Sequence, residues 1–525
     1  MLYEHLGSPE TDFDAEIACQ VASVRMAGFD INMDKLYEGI VESQAEVDTA
    51  ELNVDSPKQV KEYILEALDE MEAFIVEDGC SKKRLDFFIN RYTIEEKEPC
   101  CKDPECKRCD GVGSIGPGET PVVRRCKHII NIRNHRKRLQ LYRKLEKSKA
   151  AFPSFKVIGT KSGRMSGADG LNWHGVDTSQ TIREIMSLTE PDGPDSEKGW
   201  VVSGGDFDSQ ELSVMAATMN DEALAKDIET GRSLHAVFAE AASGIPYDQI
   251  MKKKSEDGPE SVWYGKAKSC VYALSYGASA NKIAEVIGCT QDEAEEIILK
   301  FFEKYVHMLQ TRKQITESLS CLIRTDEGRL EIRRPKQTYV DSCFNYRRAF
   351  NVEYAVIGAL VESMAELAKI GRDKDSPFFG LFKQSVIRKE EKGEQTIGGS
   401  ISSAFYGATF SVQNKIIRAA LNHQIQSAGR TITLRCQLNV WGLQPVGIHA
   451  FRLKIMSVHD ELVVTSAPEL CEAIADAMEE EINELCKKIP LLGLEWNSDV
   501  GSWYGVKATK GGRGMGFSRN AVGAK

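Results

Sequence analysis

A charged turn between two β-prone apolar runs is the segment that most constrains the fold. Residues 453–458 and 462–464 are mostly aliphatic, and His459, Asp460 and Glu461 separate them. The pattern predicts a β-hairpin with its charged residues at the tip. Two adjacent carboxylates at such a tip could bind a metal ion. Acidic hairpin tips are also common, so this segment alone supports both interpretations equally.

A candidate second carboxylate follows a short buried-strand signal at residues 200–202. The chain then passes Asp206 and enters a helical pattern at Ser209, so Asp206 is predicted where a strand ends and a helix begins. A carboxylate at a strand end can converge with one on a neighbouring hairpin. The alternative, that Asp206 or Asp208 only caps the helix, is equally consistent with this segment.

A third segment carries a lysine and two tyrosines at helical spacing. Lys268, Tyr272 and Tyr276 recur every four residues, which places them on one face of a predicted helix that ends near Gly277. A cation followed by two aromatic rings fits a triphosphate, a sugar or base, and a template base, in that order. A tyrosine stripe can instead be ordinary core packing.

Together these three segments resemble motifs A, B and C of family A, the DNA polymerase I-like DNA polymerases. The resemblance rests on Asp206 with Glu211 and Leu212, on Lys268, Tyr272, Tyr276 and Gly277, and on His459, Asp460 and Glu461. Their order along the chain agrees with the family.

Segments around the three motifs are similar to the family as well. Residues 160–166 with Asn172 resemble its primer–template segment, and residues 52–59 resemble its entry to the thumb. His235, four residues after Gly231, resembles its phosphate-contacting histidine. The helix before motif C is matched by Arg418, Asn422 and Gln426. The resemblance covers nearly the whole chain except a cysteine-rich insertion, the polar loop 373–399 and the tail.

The resemblance implies an α+β right-hand polymerase, with an antiparallel palm sheet, helical fingers and a helical thumb. We expect the start of the palm and the thumb entry in residues 1–55, the thumb in 56–150 with an insertion at about 79–127, palm in 151–222, fingers in 223–400 with the loop 373–399, palm in 401–508, and a disordered tail in 509–525.

The resemblance also implies the groups that act on the nucleotide. Asp206 and Asp460 would bind two Mg²⁺ ions, with Glu461 in support. Lys268 would neutralise the triphosphate, with His235 and Arg183 nearby. Tyr272 would lie beside the incoming sugar and base, and Glu211 would crowd a ribose 2′-hydroxyl. Contacts with primer–template DNA are expected from Arg164, Asn172, Tyr276, Arg418, Asn422, Gln426 and His459.

One position departs from the family pattern. The family usually carries arginine four residues before the motif B lysine, and this chain has Tyr264 there. Lys266 lies about 200° around the helix from that position, so it is a poor substitute. A lysine from the run Lys252, Lys253 and Lys254 could reach in instead.

The insertion contains a cysteine cluster. Cys106 and Cys109 form a CxxC knuckle. Cys101 with Cys126 would complete a tetrahedral thiolate site for one structural Zn²⁺, with Cys100 or His128 as substitutes. The alternative is a flexible loop of reduced thiols. The adjoining segment 124–149 is basic and amphipathic. Its charged side could simply face solvent, or it could contact the phosphate backbone of DNA.

Length and charge limit the number of domains and the kind of DNA contact that the chain can have. A chain of 525 residues predicts several domains, and a net charge of −11 argues against general attraction to polyanions, so DNA contacts must be local patches. No signal peptide or membrane span is recognisable, which predicts a soluble cytoplasmic protein without a membrane partner. The host cytoplasm would be bacterial if a phage encodes the chain.

Three alternatives to a DNA polymerase share some of these sequence features. A single-subunit RNA polymerase has a similar palm and a histidine–aspartate hairpin. Glu211 as a gate and Glu461 after Asp460 favour a DNA polymerase instead. A catalytically inactive DNA-binding accessory protein is disfavoured because all the expected carboxylates are present. Reverse transcription fits only as a side activity. Because the resemblance begins near residue 1 and lacks nuclease domains, we expect no proofreading by this chain, and a bacteriophage-type enzyme that works with a separate exonuclease, helicase or processivity factor.

Overall fold

The computed structural model consists of helices arranged around one five-stranded sheet. It describes residues 14–68, 81–94, 98–99, 114–115, 118–168, 173–176, 180–185, 199–257, 262–380, 397–445, 451–508 and 515–520. No helix in those ranges is long and apolar enough to span a membrane.

The helices of the first half are α1 (Asp14–Ala27), α2 (Met33–Asp48), α3 (Pro57–Leu65), α4 (Lys82–Tyr92), α5 (Pro121–Ser148), α6 (Gln180–Ile185), α7 (Gln210–Met219), α8 (Glu222–Glu229), α9 (Leu234–Ser243) and α10 (Tyr247–Asp257). Those of the second half are α11 (Val262–Ser275), α12 (Ala280–Ile287), α13 (Gln291–Lys304), α14 (Val306–Leu319), α15 (Asn351–Ile370), α16 (Ile397–Trp441), α17 (Cys471–Cys486) and α18 (Gly505–Ala508).

The strands that form short two-stranded pairs are β1 (Thr93–Ile94) with β4 (Gly118–Glu119), β2 (Glu98–Pro99) with β3 (Ser114–Ile115), β5 (Phe155–Lys156) with β6 (Ser166–Gly167), β8 (Leu322–Arg324) with β9 (Leu330–Ile332), and β10 (Tyr339–Asp341) with β11 (Arg347–Ala349). The central sheet contains β7 (Val201–Phe207), β12 (Leu453–Val458), β13 (Glu461–Ser466), β14 (Gly493–Asn497) and β15 (Gly516–Asn520).

The order of the central sheet is β12-β13-β7-β14-β15. The first four strands pair antiparallel, while β15 pairs parallel with β14. Two glycines allow β7 to pass between its neighbours, since a Cβ on Gly204 or Gly205 would lie within 2.5 Å of a carbonyl oxygen. The predicted hairpin at residues 453–464 and the predicted strand at 201–202 are therefore confirmed.

Local sequence explains how the first helices end and begin. Gly28 adopts a left-handed conformation (φ +70°), which glycine tolerates, between α1 and α2. Ser56 accepts a hydrogen bond from the Gln59 amide, and Pro57 occupies the first turn of α3. These residues fit the helix start because the serine satisfies an orphan donor and the proline lacks one.

A separate apolar cluster organises the region predicted as the thumb. Side chains of α3, α4 and α5, with Val54, form this core. Cys126 is fully buried within it. Both ends of the predicted insertion at 79–127 are therefore helical, with α4 and the start of α5 on either side of the short strands.

Two described segments differ from the structure expected for them. The tail 509–525 was expected to be disordered, but β15 extends the central sheet, because Phe517 packs near Trp496 with ring centroids 6.5 Å apart and Arg519 contacts acidic side chains of α17. The polar loop was expected to run to residue 399. Helix α16 already begins at Ile397, so the expected fingers–palm boundary at residue 400 falls in its first turn. Residues 381–396 lie outside the described ranges.

Candidate active site

Two aspartates meet at one end of the central sheet. Asp206 lies next to the last residue of β7, and Asp460 lies in the two-residue turn between β12 and β13. The Phe207 amide donates to the Asp460 carbonyl at 3.2 Å, which ties the two backbones together. Both carboxylates are partly exposed. Separate elements thus place the two aspartates at the same end of the sheet, and their joint binding of a metal stays a prediction.

Glu461 is held differently from its neighbour Asp460. It pairs in register with Asp206, yet its side chain is buried and both its oxygens accept from Arg183, at 2.9 and 3.0 Å. The Trp503 indole N–H donates to Glu461 Oε1 at 2.6 Å, and the Arg183 guanidinium lies 4.5 Å from the centroid of the same indole ring. Arg183 is therefore buried and holds Glu461, and its contact with the nucleotide triphosphate stays a prediction.

His459 occupies the strained first position of the turn. Its φ is +60°, in the left-handed region. Its imidazole stacks on His174 with centroids 5.2 Å apart, and its Nε2 lies 3.1 Å from the His174 carbonyl oxygen. Burial, with a smaller contribution from the charge of His459, lowers the pKa of His174 to about 4. Sequence reasoning did not single out His174, and only its position two residues after Asn172 could have drawn attention to it.

Glu211, on α7, connects this helix to the end of α11, the predicted motif B helix. Its carboxylate accepts from Arg164 Nη2 at 3.1 Å and from the Tyr276 hydroxyl at 3.0 Å. Burial, reinforced by the Glu211 charge, raises the pKa of Tyr276, so its hydroxyl remains a donor at neutral pH. Three side chains predicted from separate segments are thus brought into direct contact.

The predicted DNA-contacting residues of α16 extend from this cluster. Arg418 is exposed, whereas Asn422 and Gln426 are half-buried. Gln426 Oε1 lies 3.5 Å from Ser162 Oγ, which links α16 to the predicted primer–template segment. A cavity of about 280 Å³ opens between these elements, and its lining includes Arg164, His174, Gln426, Arg430 and His459. Asn172 lies outside the described residues, so its predicted contact is not placed.

Helix α11, the predicted motif B helix, keeps Lys268 and Tyr272 on a less buried face, as their spacing predicts. Cys270, Val271 and Leu274 are buried, whereas Lys268 is exposed and Tyr272 is half-buried. His235, on α9, packs against this helix, with its ring centroid 5.5 Å from that of Tyr272 and 5.6 Å from that of Tyr264. His235, Tyr264 and Tyr272 therefore form one aromatic cluster, and Lys268 lies exposed one helical turn before Tyr272.

The position of the missing arginine lies at the edge of that cluster. Tyr264 is 5% exposed, and its hydroxyl accepts from Ser233 Oγ at 3.2 Å. Lys254 Nζ lies 4.6 Å from the centroid of the Tyr264 ring. Lys266 turns elsewhere and donates to the Ile287 carbonyl at 3.3 Å, which agrees with the expectation that it is a poor substitute.

The chemistry of the donors fits magnesium at the aspartates. Mg²⁺ prefers oxygen ligands and commonly takes one or two carboxylates, with phosphates and waters completing its shell. Asp206 and Asp460 supply such a pair. Among the described residues no group of three or more histidine, cysteine or acidic side chains could by itself hold a metal. Three of the four predicted zinc ligands, Cys101, Cys106 and Cys109, lie outside those residues.

This arrangement of carboxylates on central antiparallel strands, with a lysine and tyrosine helix facing them, defines a right-hand polymerase fold. The polymerase domain of Pol1 from M. smegmatis, solved with DNA primer-template and dNTP, has this fold. It superposes with a TM-score of 0.55 and 16% identity, covering 93% of this chain and 69% of that one. The expected α+β right-hand class is confirmed.

Sequence comparisons point to the same group. Residues 123–361 match the model of DNA polymerase family A. DNA polymerase I from Thermus aquaticus is 25% identical over 197 residues, which are 37% of this chain and 20% of that protein. The DNA polymerase of Mycobacterium phage D29 is 32% identical over 110 residues, covering 21% and 16% respectively. The chain thus spans about a fifth of these relatives. The part of the chain that matches the family model, residues 123–361, is a little under half of its length.

Proposed function

We propose that this protein is a template-directed DNA polymerase that adds deoxynucleotides to a primer 3′-hydroxyl. The observation that carries the proposal is the meeting of Asp206 and Asp460 at one sheet end, joined to the motif B helix through Glu211 and Tyr276. A structural relative was solved with primer-template DNA and dNTP, and we propose the same ligands for this chain.

In the proposed reaction, the primer 3′-oxygen forms a bond to the α-phosphorus of the nucleotide, and the bond to pyrophosphate breaks. Asp206 and Asp460 would hold two Mg²⁺ ions, which when bound would neutralise charge on the attacking and leaving oxygens. Lys268 would bind the triphosphate and give a proton to the departing pyrophosphate, with His235 beside it. Tyr272 would support the sugar and base of the nucleotide.

The remaining site residues would position the two strands. His459, held by its stack on His174, would contact the primer end. Arg164 and Gln426 line the cavity, Asn422 and Arg418 lie further towards the start of α16, and these four residues would hold the duplex near the junction. None of these groups reads base identity, so the template would supply the sequence information by pairing.

Primer extension on a defined template with Mg²⁺ tests the proposal. We expect extension by the wild-type chain and its loss in Asp460→Asn, which keeps the side-chain volume but removes the charge. Glu480→Gln, an exposed acid on α17, is the matched control and should extend normally. A wild-type chain that binds the primer–template but never extends it would contradict a polymerase and favour the accessory-protein alternative.

We further propose a role in viral DNA replication, which is supported by the 32% identity to a phage polymerase over 110 residues. A separate exonuclease, helicase or processivity factor would then work beside this chain. The structural Zn²⁺ in the insertion also stays a proposal, and Cys126, its one described ligand candidate, is buried next to that segment. Elemental analysis of the purified protein should find about one zinc per chain.

A further inference from the structure

The cations of the fingers helices are mostly engaged by neighbouring groups. Lys252 pairs with Glu256 at 3.9 Å, Arg232 with Glu240 at 3.8 Å, Lys282 with Glu285 at 2.7 Å, and Lys304 with Asp227 at 2.5 Å. Lys266 is held by a backbone carbonyl. A side chain whose charge is already paired contributes less to binding an anionic ligand, because the existing partner must be displaced first.

Lys254 is placed differently from the other two lysines of its run. Lys252 and Lys253 are exposed, whereas Lys254 is half-buried against the Tyr264 ring. Among the described residues no acidic group lies within ion-pair distance of Lys254. A cation over an aromatic face is oriented by the ring but keeps its N–H donors available for a phosphate.

The ring beneath Lys254 leads directly to the proposed nucleotide site. Tyr264 is fixed by Ser233 and packs edge-on against His235, which in turn contacts Tyr272. One ring therefore separates Lys254 from the histidine assigned to the triphosphate. Tyr264 also occupies the position where family members carry an arginine on the nucleotide-facing helix.

We propose that Lys254 of α10 binds the triphosphate of the incoming nucleotide, with Tyr264 as the platform that orients its ammonium group. The positive charge that the family places on the motif B helix would thus come from a different helix in this protein. The inference rests on the proposed polymerase function and names one more group of the same site.

Single-nucleotide insertion kinetics with Lys254→Ala test this assignment. Losing a charge-assisted contact should raise the KM for dNTP about tenfold, with a smaller change in kcat. Inhibition by inorganic tripolyphosphate should weaken by a similar factor, because this probe lacks sugar and base. Lys254→Arg should keep most of the affinity. Lys253→Ala, one residue away on the exposed face, should match the wild type.

A second variant tests whether a cation at position 264 can replace Lys254. Introducing Tyr264→Arg into the Lys254→Ala background should recover dNTP affinity, since it restores a cation at the family position. An unchanged KM in Lys254→Ala, with an active wild type, would overturn the role of Lys254 and leave the polymerase proposal intact. Equal losses in Lys254→Ala and Lys253→Ala would also overturn it, because they indicate only general charge. An inactive wild type would overturn both.

Discussion

Glu211 is the residue at which sugar selection can be tested. Its carboxylate is fixed by Arg164 and Tyr276, so it cannot easily swing away from a ribose 2′-hydroxyl. We expect Glu211→Ala to raise the relative use of rNTPs roughly tenfold to a hundredfold, the range over which a pocket discriminates one hydroxyl. Glu211→Gln keeps the bulk and should keep the preference for dNTPs. The measurement is the ratio of kcat/KM for the two nucleotides.

That measurement also separates the main alternative function. A wild-type preference for rNTPs would refute the assignment of Glu211 as a gate and favour an RNA polymerase. Unchanged selectivity in Glu211→Ala would show that the gate lies elsewhere in the site, even if the wild type prefers dNTPs.

The buried pair of Arg183 and Glu461 supports the catalytic turn from beneath. Arg183→Met would leave the buried Glu461 carboxylate without its guanidinium partner, although the Trp503 indole would still donate to it, and we expect a loss of about 3–5 kcal/mol in the free energy of unfolding. The double variant Arg183→Met, Glu461→Leu removes both charges and should recover much of that loss. Denaturant unfolding measures both, and strictly additive losses would contradict the coupling.

At the scale of elements, strand β12 contains a buried lysine whose charge is costly to the fold. Lys454 is 4% exposed, and burial lowers its pKa to about 8 although Asp30 acts in the opposite direction. The folded state therefore binds fewer protons than the unfolded state between about pH 8 and 10.5, the ordinary pKa of a lysine. Wild-type stability should rise with pH across that window.

Lys454→Met should remove this dependence. Below about pH 8 the variant should be more stable than the wild type, by on the order of 1–3 kcal/mol, because contacts with the Trp200 and Phe29 rings offset part of the burial cost. The difference should shrink towards pH 10.5. Thermal unfolding from pH 6 to 10 measures it, and a constant gap would argue against titration of this lysine.

Elements with a strong local signal could be predicted from the sequence, and contacts between distant segments could not. The hairpin around Asp460 and the capped start of α3 follow from periodicity and turn chemistry within a few residues. The partner of Glu461 is 278 positions away at Arg183, and no local pattern encodes it. Strand β15 was missed because its glycine-rich approach favours disorder, whereas tertiary contacts of Phe517 and Arg519 decide the outcome.

At the scale of the whole molecule, the net charge of −11 means that DNA affinity must come from local basic surfaces. Helix α5 is the strongest candidate, but some of its basic side chains already bind neighbouring groups in the region predicted as the thumb. Arg125 pairs with Glu66, Arg136 pairs with Asp55, and Arg133 donates to the Val54 carbonyl. The predicted contact of this helix with DNA phosphates is therefore assigned to its exposed lysines and not to these arginines.

Two of those lysines allow the surface to be tested. Lys137 and Lys144 are exposed and seven residues apart, which places them on one face of α5 over about two turns. We expect Lys137→Gln with Lys144→Gln to weaken primer–template binding equally for all sequences. The slope of log K against log salt should fall in magnitude by about 1–2, since each lost phosphate contact contributes about 0.9.

The control must remove the same charge at a distance from the thumb. Lys369→Gln with Lys487→Gln does so on α15 and just after α17, where both lysines are exposed. If net charge alone governed binding, both pairs would weaken affinity to the same extent. A loss confined to the α5 pair, with the reduced salt slope, would instead place phosphate contacts on the thumb, because only direct neutralisation of phosphates changes the number of counterions released.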